Sequence, residues 1–305
     1  MTIIDAHSHL GDILYRGGGA LIDKVGVTKK AVFDPAGISE RSLHFDPLGL
    51  GRFTYALLSK ALTRAERERN FTATYENFRR SMDEVGITHS VALPVPPYLN
   101  FEDLAPVADK DTGVIAFTGV DYTEGVDSVA KLHADVNAGA RGLKLHPIIQ
   151  KIPLTSEETM SAVEAFSTYD LPVLLHCGVS SYYLGSEREK QEPSYGEIRY
   201  AAELIKAFPD VRFIAGHSGL FDVRDVMRLF AGLANVWVET SFQSVALVRK
   251  LLGVFGPDRV VFGSDWPFGN RPPALAIARA TCKGDPGLQR RMLCDNAAEL
   301  LGMTV

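Results

Sequence analysis

The stretch PVLLHCGVSSYYLGSEREKQEPSYGEIRYAAELIKAFPDVRFIAGHS, residues 172–218, reads as strand, helix, strand. Its first apolar run ends on His176, and the short β-branched run VRFIAGHS ends on His217. Between them, Ser194 with Glu197 matches the S-x-x-E box that satisfies free amides at a helix start. Ile198, Ala201, Ala202, Ile205 and Phe208 then keep one helical face, and Pro209 with Asp210 breaks it. Two strands joined through a helix run parallel, so both histidines arrive at the same end of a sheet.

Working outward, the same rhythm recurs. Strands are predicted at 3–9 (IIDAHSH), 88–95, 113–121, 140–147, 172–178, 211–218, 236–242 and 259–265. Helical stripes precede or follow them: Phe78, Met82 and Val85 stopped by Gly86; Val126, Val129, Leu132 and Val136 stopped by Gly139; and Met160, Val163 and Phe166 behind a Thr155/Glu158 box. Alternation of this kind predicts an α/β fold with a covered parallel sheet. Eight repeats in 305 residues suit a closed (β/α)8 TIM barrel better than a doubly wound open sheet. Residues 11–80 exceed any normal connection and form an insertion after the first strand, with loop-like glycines at 17–19 and a helix around Phe53–Asn70. The whole chain, 1–305, is expected to be one barrel, with 11–80 a lid over its active-site face.

Composition narrows the class. Hydrophobic residues make up 46% of the chain and charged ones 23%, with 27 glycines and 16 prolines, which excludes a disordered or low-complexity chain. Lys and Arg number 32 against 37 Asp and Glu, a formal charge of −5, so no basic face is expected to track nucleic acid. Cys177, Cys282 and Cys294 are an odd count without CxxC spacing, which argues against a disulfide framework and a zinc knuckle and fits a reducing cytoplasm. No basic leader and no apolar run of about 18 residues is found, so neither export nor a membrane association is expected.

His7 and His9 are two apart in a strand, point to one face, and form a pair able to bind one metal ion. Lys144, His176, His217 and Asp265 each end a predicted strand at its C-terminal side, the rim where barrel ligands and catalytic groups converge. Buried unpaired polar groups cost about 1–3 kcal/mol each, a cost that a shared metal removes. The alternative is a set of separately hydrogen-bonded core residues. His44, His89 and His133 lack this placement and read as surface or structural. His146 shares the face of Lys144 and either lines the site or, with Pro147 following, enters a loop. Cys177 alternates with His176 and reads as a small buried hydrophobe. Glu239, Thr240, Trp266 and Arg271 lie near strand ends, within reach of a substrate, and read as structural.

Taken together, IIDAHSHL, GLKLHP, LPVLLHCG, AFPDVRFIAGHSG, VVFGSDWPFG and DNAAELLG, in this order, resemble the amidohydrolase superfamily, in its amidohydrolase-related branch of metal-dependent TIM-barrel hydrolases and decarboxylases. The resemblance implies that His7 and His9 bind one metal, with His176 and Asp265 completing or bridging the centre. It gives His217 either a second metal or the role of general base or oxyanion stabiliser. Lys144 is then either a carboxylated bridge between two ions or a cation beside a single one. The implied cofactor is one or two divalent ions, with zinc the default among metals that accept nitrogen and oxygen ligands. The implied reaction is hydrolysis of an amide, lactone or ester of a small molecule by metal-activated water, whose pKa falls to about 7, with Asp265 carrying the proton to the leaving group. Non-oxidative decarboxylation of an aromatic or muconate-type acid uses the same ligands and is the alternative, and a silent ligand-binding barrel is a third reading. A homodimer is expected from precedent in the branch.

Overall fold

A computed structural model describes residues 1–41 and 51–304; His44 lies outside them. Nine strand segments carry the fold: β1 Ile4–Ser8, β2 His89–Ala92, β3 Val114–Ala116, β4 Thr118–Gly119, β5 Leu143–Leu145, β6 Val173–Leu175, β7 Phe213–Ala215, β8 Val236–Glu239 and β9 Val260–Val261. Every predicted strand contains one, and the strand predicted over 113–121 contains two, β3 and β4, interrupted at Phe117.

All neighbours pair in parallel, β1 to β3 in one run and β4 to β9 in another. Phe117 joins the runs: its own amide donates to Ala92 O at 3.1 Å on β2, and the next amide, of Thr118, donates to Gly142 O at 2.8 Å, just before β5. The other end closes through a parallel bridge between Ser8 and Trp266, with the Ala6 amide donating to Phe262 O at 2.9 Å. The strands therefore form a closed (β/α)8 TIM barrel, as the repeat count predicts.

Alternation along the strands sorts the core. Leu174 clusters with Ile4, Val91, Ile115, Ile214 and Val261, backed by Leu300 of the last helix, Asn296–Leu300, and by Leu301 just after it, whereas Val173 and Leu175 join the larger cluster beneath the helices. Lys144 is the register partner of Leu174 and so faces the barrel interior with it. A lysine in that position has left water completely, which makes it the first residue to need a chemical explanation.

Helices follow their apolar stripes more closely than their predicted capping boxes. Tyr75–Val85 ends at Gly86, whose φ of 75° is the left-handed geometry that glycine accepts without cost. The box assigned to Thr155 and Glu158 is corrected by one residue: Ser156 caps Glu157–Phe166 by accepting from the Thr159 amide at 3.2 Å. The Ser194/Glu197 box does not form; Pro193–Gly196 is a 3-10 turn, and the helix begins at Ile198 with Glu197 as its N-cap. The expected insertion carries Gly51–Asn70, one long helix. Among the described residues no helix is long and apolar enough to cross a membrane.

Candidate metal centre

His7 lies within β1, His9 directly follows it, Lys144 sits in β5, and His176, His217 and Asp265 come just after β6, β7 and β9. The backbone bends sharply to deliver the last two. His217, Ser218 and Leu220 have φ of 56°, 46° and 51°, and Asp265 has 53°. Left-handed non-glycine residues cost on the order of 1–3 kcal/mol each and persist where the surroundings over-determine them. Here the Asp265 amide donates to His7 O at 2.8 Å, which fixes the carboxylate beside the first strand. Gly263 leaves the space that Glu239 occupies, because a Cβ there would lie 2.4 Å from Glu239 Oε2.

The imidazoles are oriented from behind. His7 Nδ1 lies 3.0 Å from Glu239 Oε1, and His9 Nδ1 lies 2.8 Å from Leu93 O, so each ring turns Nε2 inward. Asp265 Oδ1 meets those two Nε2 atoms at 3.3 and 3.4 Å, yet it is buried and has no hydrogen-bond partner. His217 places Nδ1 3.6 Å from Asp265 Oδ2 and 3.0 Å from Ser241 Oγ, while its Nε2 lies 3.2 Å from His176 Nδ1. His176 Nε2 contacts Gly178 O at 3.0 Å. Lys144 Nζ lies 3.4 Å from His7 Nε2. One ligand atom each of His7, His217 and Asp265 falls within 4.8 Å of the others; His9 adjoins this group through Asp265, and His176 through His217.

Burial governs the charges. It holds His7, His9 and His217 well below the ordinary histidine range and His176 at about 3, so the rings are neutral and each can offer a lone pair to a cation. It lowers the Lys144 amine to about 8, against the attraction of Asp265 and Glu239. It raises Glu239 to about 7 and Asp265 well above the usual carboxylate range. Neutral imidazoles converging on an unpartnered buried carboxylate oxygen are the donor set a divalent cation requires, and the residues fit such an ion.

A sequence profile described as amidohydrolase matches residues 4–303. The chain belongs to the amidohydrolase family. A search of curated proteins returns no match. Solved structures share the amidohydrolase chain's fold at low identity. An uncharacterised TIM-barrel protein from Bordetella bronchiseptica is 15% identical, with a TM-score of 0.68 and 99% of each chain covered. A probable 2-pyrone-4,6-dicarboxylic acid hydrolase from Acinetobacter baumannii, with citric acid bound, is 14% identical at a TM-score of 0.62, covering 99% of this chain and 100% of that one. A dihydroxybenzoic acid decarboxylase from a Polaromonas species, with manganese and 2-nitroresorcinol bound, is 16% identical at a TM-score of 0.64, covering 99% and 97%.

In this amidohydrolase, His146 stacks on His176 with ring centroids 4.2 Å apart, so it borders the cluster rather than leaving it. His89 contacts Thr88 and His133 contacts Tyr169, both away from the centre. Cys177 is buried among apolar neighbours, and burial pushes its thiol up to about 12. Thr240 bonds Gly263, and Trp266 packs on Phe78 and Arg271. Glu239 holds the neighbouring histidines from behind. Its carboxylate accepts from the His217 amide and from Ser241 N at 2.6 Å, besides orienting His7. The signal was the polar run Glu239-Thr240-Ser241 after an apolar strand, the pattern that marked the other rim residues. Tyr182 and Ser180, at 3.5 and 3.3 Å from His176, carried no periodic signal. In Glu239→Gln the orienting carboxylate is lost without loss of volume, so metal affinity is expected to fall by about 10–100-fold with the fold intact, as read by chelator competition.

Proposed function

We propose that the protein is a metal-dependent hydrolase that opens a carbonyl bond, amide, lactone or ester, in a small molecule. The observation that carries the reading is Asp265 Oδ1, buried, without a hydrogen-bond partner, and faced by the Nε2 atoms of His7 and His9. In this reading His7, His9 and Asp265 hold one ion, zinc by default. A bound divalent ion supplies Lewis-acid polarisation of the carbonyl and lowers the pKa of water. Asp265, with its raised proton affinity, accepts a proton from the attacking water at one carboxylate oxygen and returns it to the leaving amine or alcohol. His217 Nδ1 lies 3.6 Å from Asp265 Oδ2 and steadies that oxygen. Residues 11–80 act as the lid, because Tyr55, Leu62 and Glu66 of the Gly51–Asn70 helix line the pocket above His217 and Asp265.

Hydrolysis is favoured over decarboxylation by Lys144. Its amine is fully buried, lies beside His7, and is lowered to about 8, so a neutral nucleophilic form is accessible to carbon dioxide. Carboxylated, it would offer an anionic bridge between an ion at His7 and His9 and a second at His176 and His217. The expected result is two ions per chain by elemental analysis and a carbamate carbon signal by NMR after growth in labelled bicarbonate. Lys144→Gln should lose the second ion and lactone hydrolysis together. One ion, a bare amine, and carbon dioxide release from 2,6-dihydroxybenzoate without lactone turnover would overturn hydrolysis in favour of decarboxylation. The second reading draws on the aromatic walls Tyr182, Phe242 and Phe268, which suit a flat ring.

A further inference from the structure

The pocket leading to Asp265 and His217 is built on one side by the inserted helix. Tyr55, Leu62 and Glu66 are seven and eleven residues apart from the first, spacings that return to one face of a 3.6-residue helix. Opposite them stand Tyr182, Phe242 and Phe268. The wall is thus apolar and aromatic, and its charged residues are Glu66 and Asp265; among the described residues no lysine or arginine lines it.

The nearby cations are already committed. Arg69, three residues beyond Glu66, pairs with Asp34 at 2.9 Å and Glu40 at 3.1 Å and also donates to Phe268 O. Arg67 pairs with Glu187 at 3.1 Å. Lys144 lies buried beneath the histidines. Glu66 is half-buried and forms no ion pair or hydrogen bond among the described residues; burial pushes its carboxyl up to about 7, against the attraction of Arg69. A ligand that brings a hydrogen-bond donor supplies the partner this carboxyl lacks within the pocket.

We infer that this pocket selects substrates lacking a carboxylate, ring-sized amides, esters or lactones whose far end presents an ammonium or other hydrogen-bond donor to Glu66. At its far end an anionic substrate would meet the Glu66 carboxyl and no lysine or arginine, whereas a cationic one gains a charge-assisted hydrogen bond there. The inference rests on the hydrolase reading and separates this chain from the carboxylic-acid chemistry in the names of its structural relatives.

The test uses the metal-loaded protein and three benzohydroxamic acids that share a metal-seeking head and differ at the 4-position: aminomethyl, methyl and carboxy. Calorimetric titration should find the aminomethyl compound about tenfold or more tighter than the methyl one, and the carboxy compound weakest. Glu66→Gln, which keeps the shape and removes the charge, should bring the aminomethyl-to-methyl ratio to about one. A carboxy compound that binds tightest, a flat series whether bound or not, or a ratio unchanged in Glu66→Gln would overturn the inference. Failure of the hydrolase reading appears elsewhere, in the ion count and the lactone assay, neither of which depends on the 4-substituent.

Discussion

His7→Ala is expected to abolish metal retention and turnover together. His7 occupies the middle of the cluster: Nε2 lies 3.3 Å from Asp265 Oδ1 and 3.4 Å from Lys144 Nζ, while Nδ1 is held by Glu239 at 3.0 Å. Removing the ring deletes a donor, takes from Glu239 the imidazole at 3.0 Å, and strips Asp265 Oδ1 of one of the two nitrogens that face it. The loss of affinity should exceed the about 10–100-fold expected for a supporting partner such as Glu239. Elemental analysis after dialysis and a lactone assay read the two consequences separately. His89→Ala is the control, since that ring is half-buried beside Thr88 and far from the cluster, and it should change neither. A His7→Ala protein that keeps both its ions and its activity would remove His7 from the centre.

The second large effect is on stability, at Arg271. This guanidinium is fully buried, with Nε 3.1 Å from Asp5 Oδ2, Nη1 2.8 Å from Phe78 O and Nη2 2.8 Å from Ser90 Oγ. The rings of Phe78 and Trp266 flank it at 4.4 and 5.1 Å. Burial lowers it to about 10, opposed by Asp5, so it remains charged at neutral pH. It ties β1, β2 and the Tyr75–Val85 helix to the helix Arg271–Thr281 that follows the last strand. Arg271→Met leaves the Asp5 carboxylate buried without its counter-ion, and the expected loss is about 3–5 kcal/mol in urea unfolding. Arg271→Lys should recover only part, because one ammonium cannot reproduce the planar fork. Asp5 also accepts from Ser264 N at 2.9 Å, immediately before Asp265, so folded variants should lose activity as well. Wild-type stability in Arg271→Met would refute the account of this network.

The fold was legible because each strand–helix repeat carries its own periodicity and stop signals, and the rim residues were legible because a polar residue ending an apolar strand is conspicuous. Lys144, His176, His217 and Asp265 all stood out in that way, and the structure gathers them with His7 and His9. What escaped depends on contacts that periodicity does not encode. The cap fell on Ser156 rather than Thr155 because both carry a hydroxyl and only backbone geometry chooses between them. His146 was ambiguous because Pro147 argued for a loop, yet a strand end entering a short helix still leaves the ring stacked on His176. Glu239 looked like other strand-end polar residues, and its role became clear only when a segment 232 positions away brought His7 to it. That Tyr55, Leu62 and Glu66 line the pocket was hidden because the Gly51–Asn70 helix intersperses charged and apolar residues along its sequence.

The most direct measurement is anomalous diffraction at the zinc edge from crystals of the zinc-loaded protein. The account predicts a peak bonded to His7 Nε2 and His9 Nε2 at about 2.0–2.1 Å and to an oxygen of Asp265 at about 2.0–2.2 Å. Full turnover in protein whose ion lies elsewhere, or which has no ion against these atoms, would contradict it.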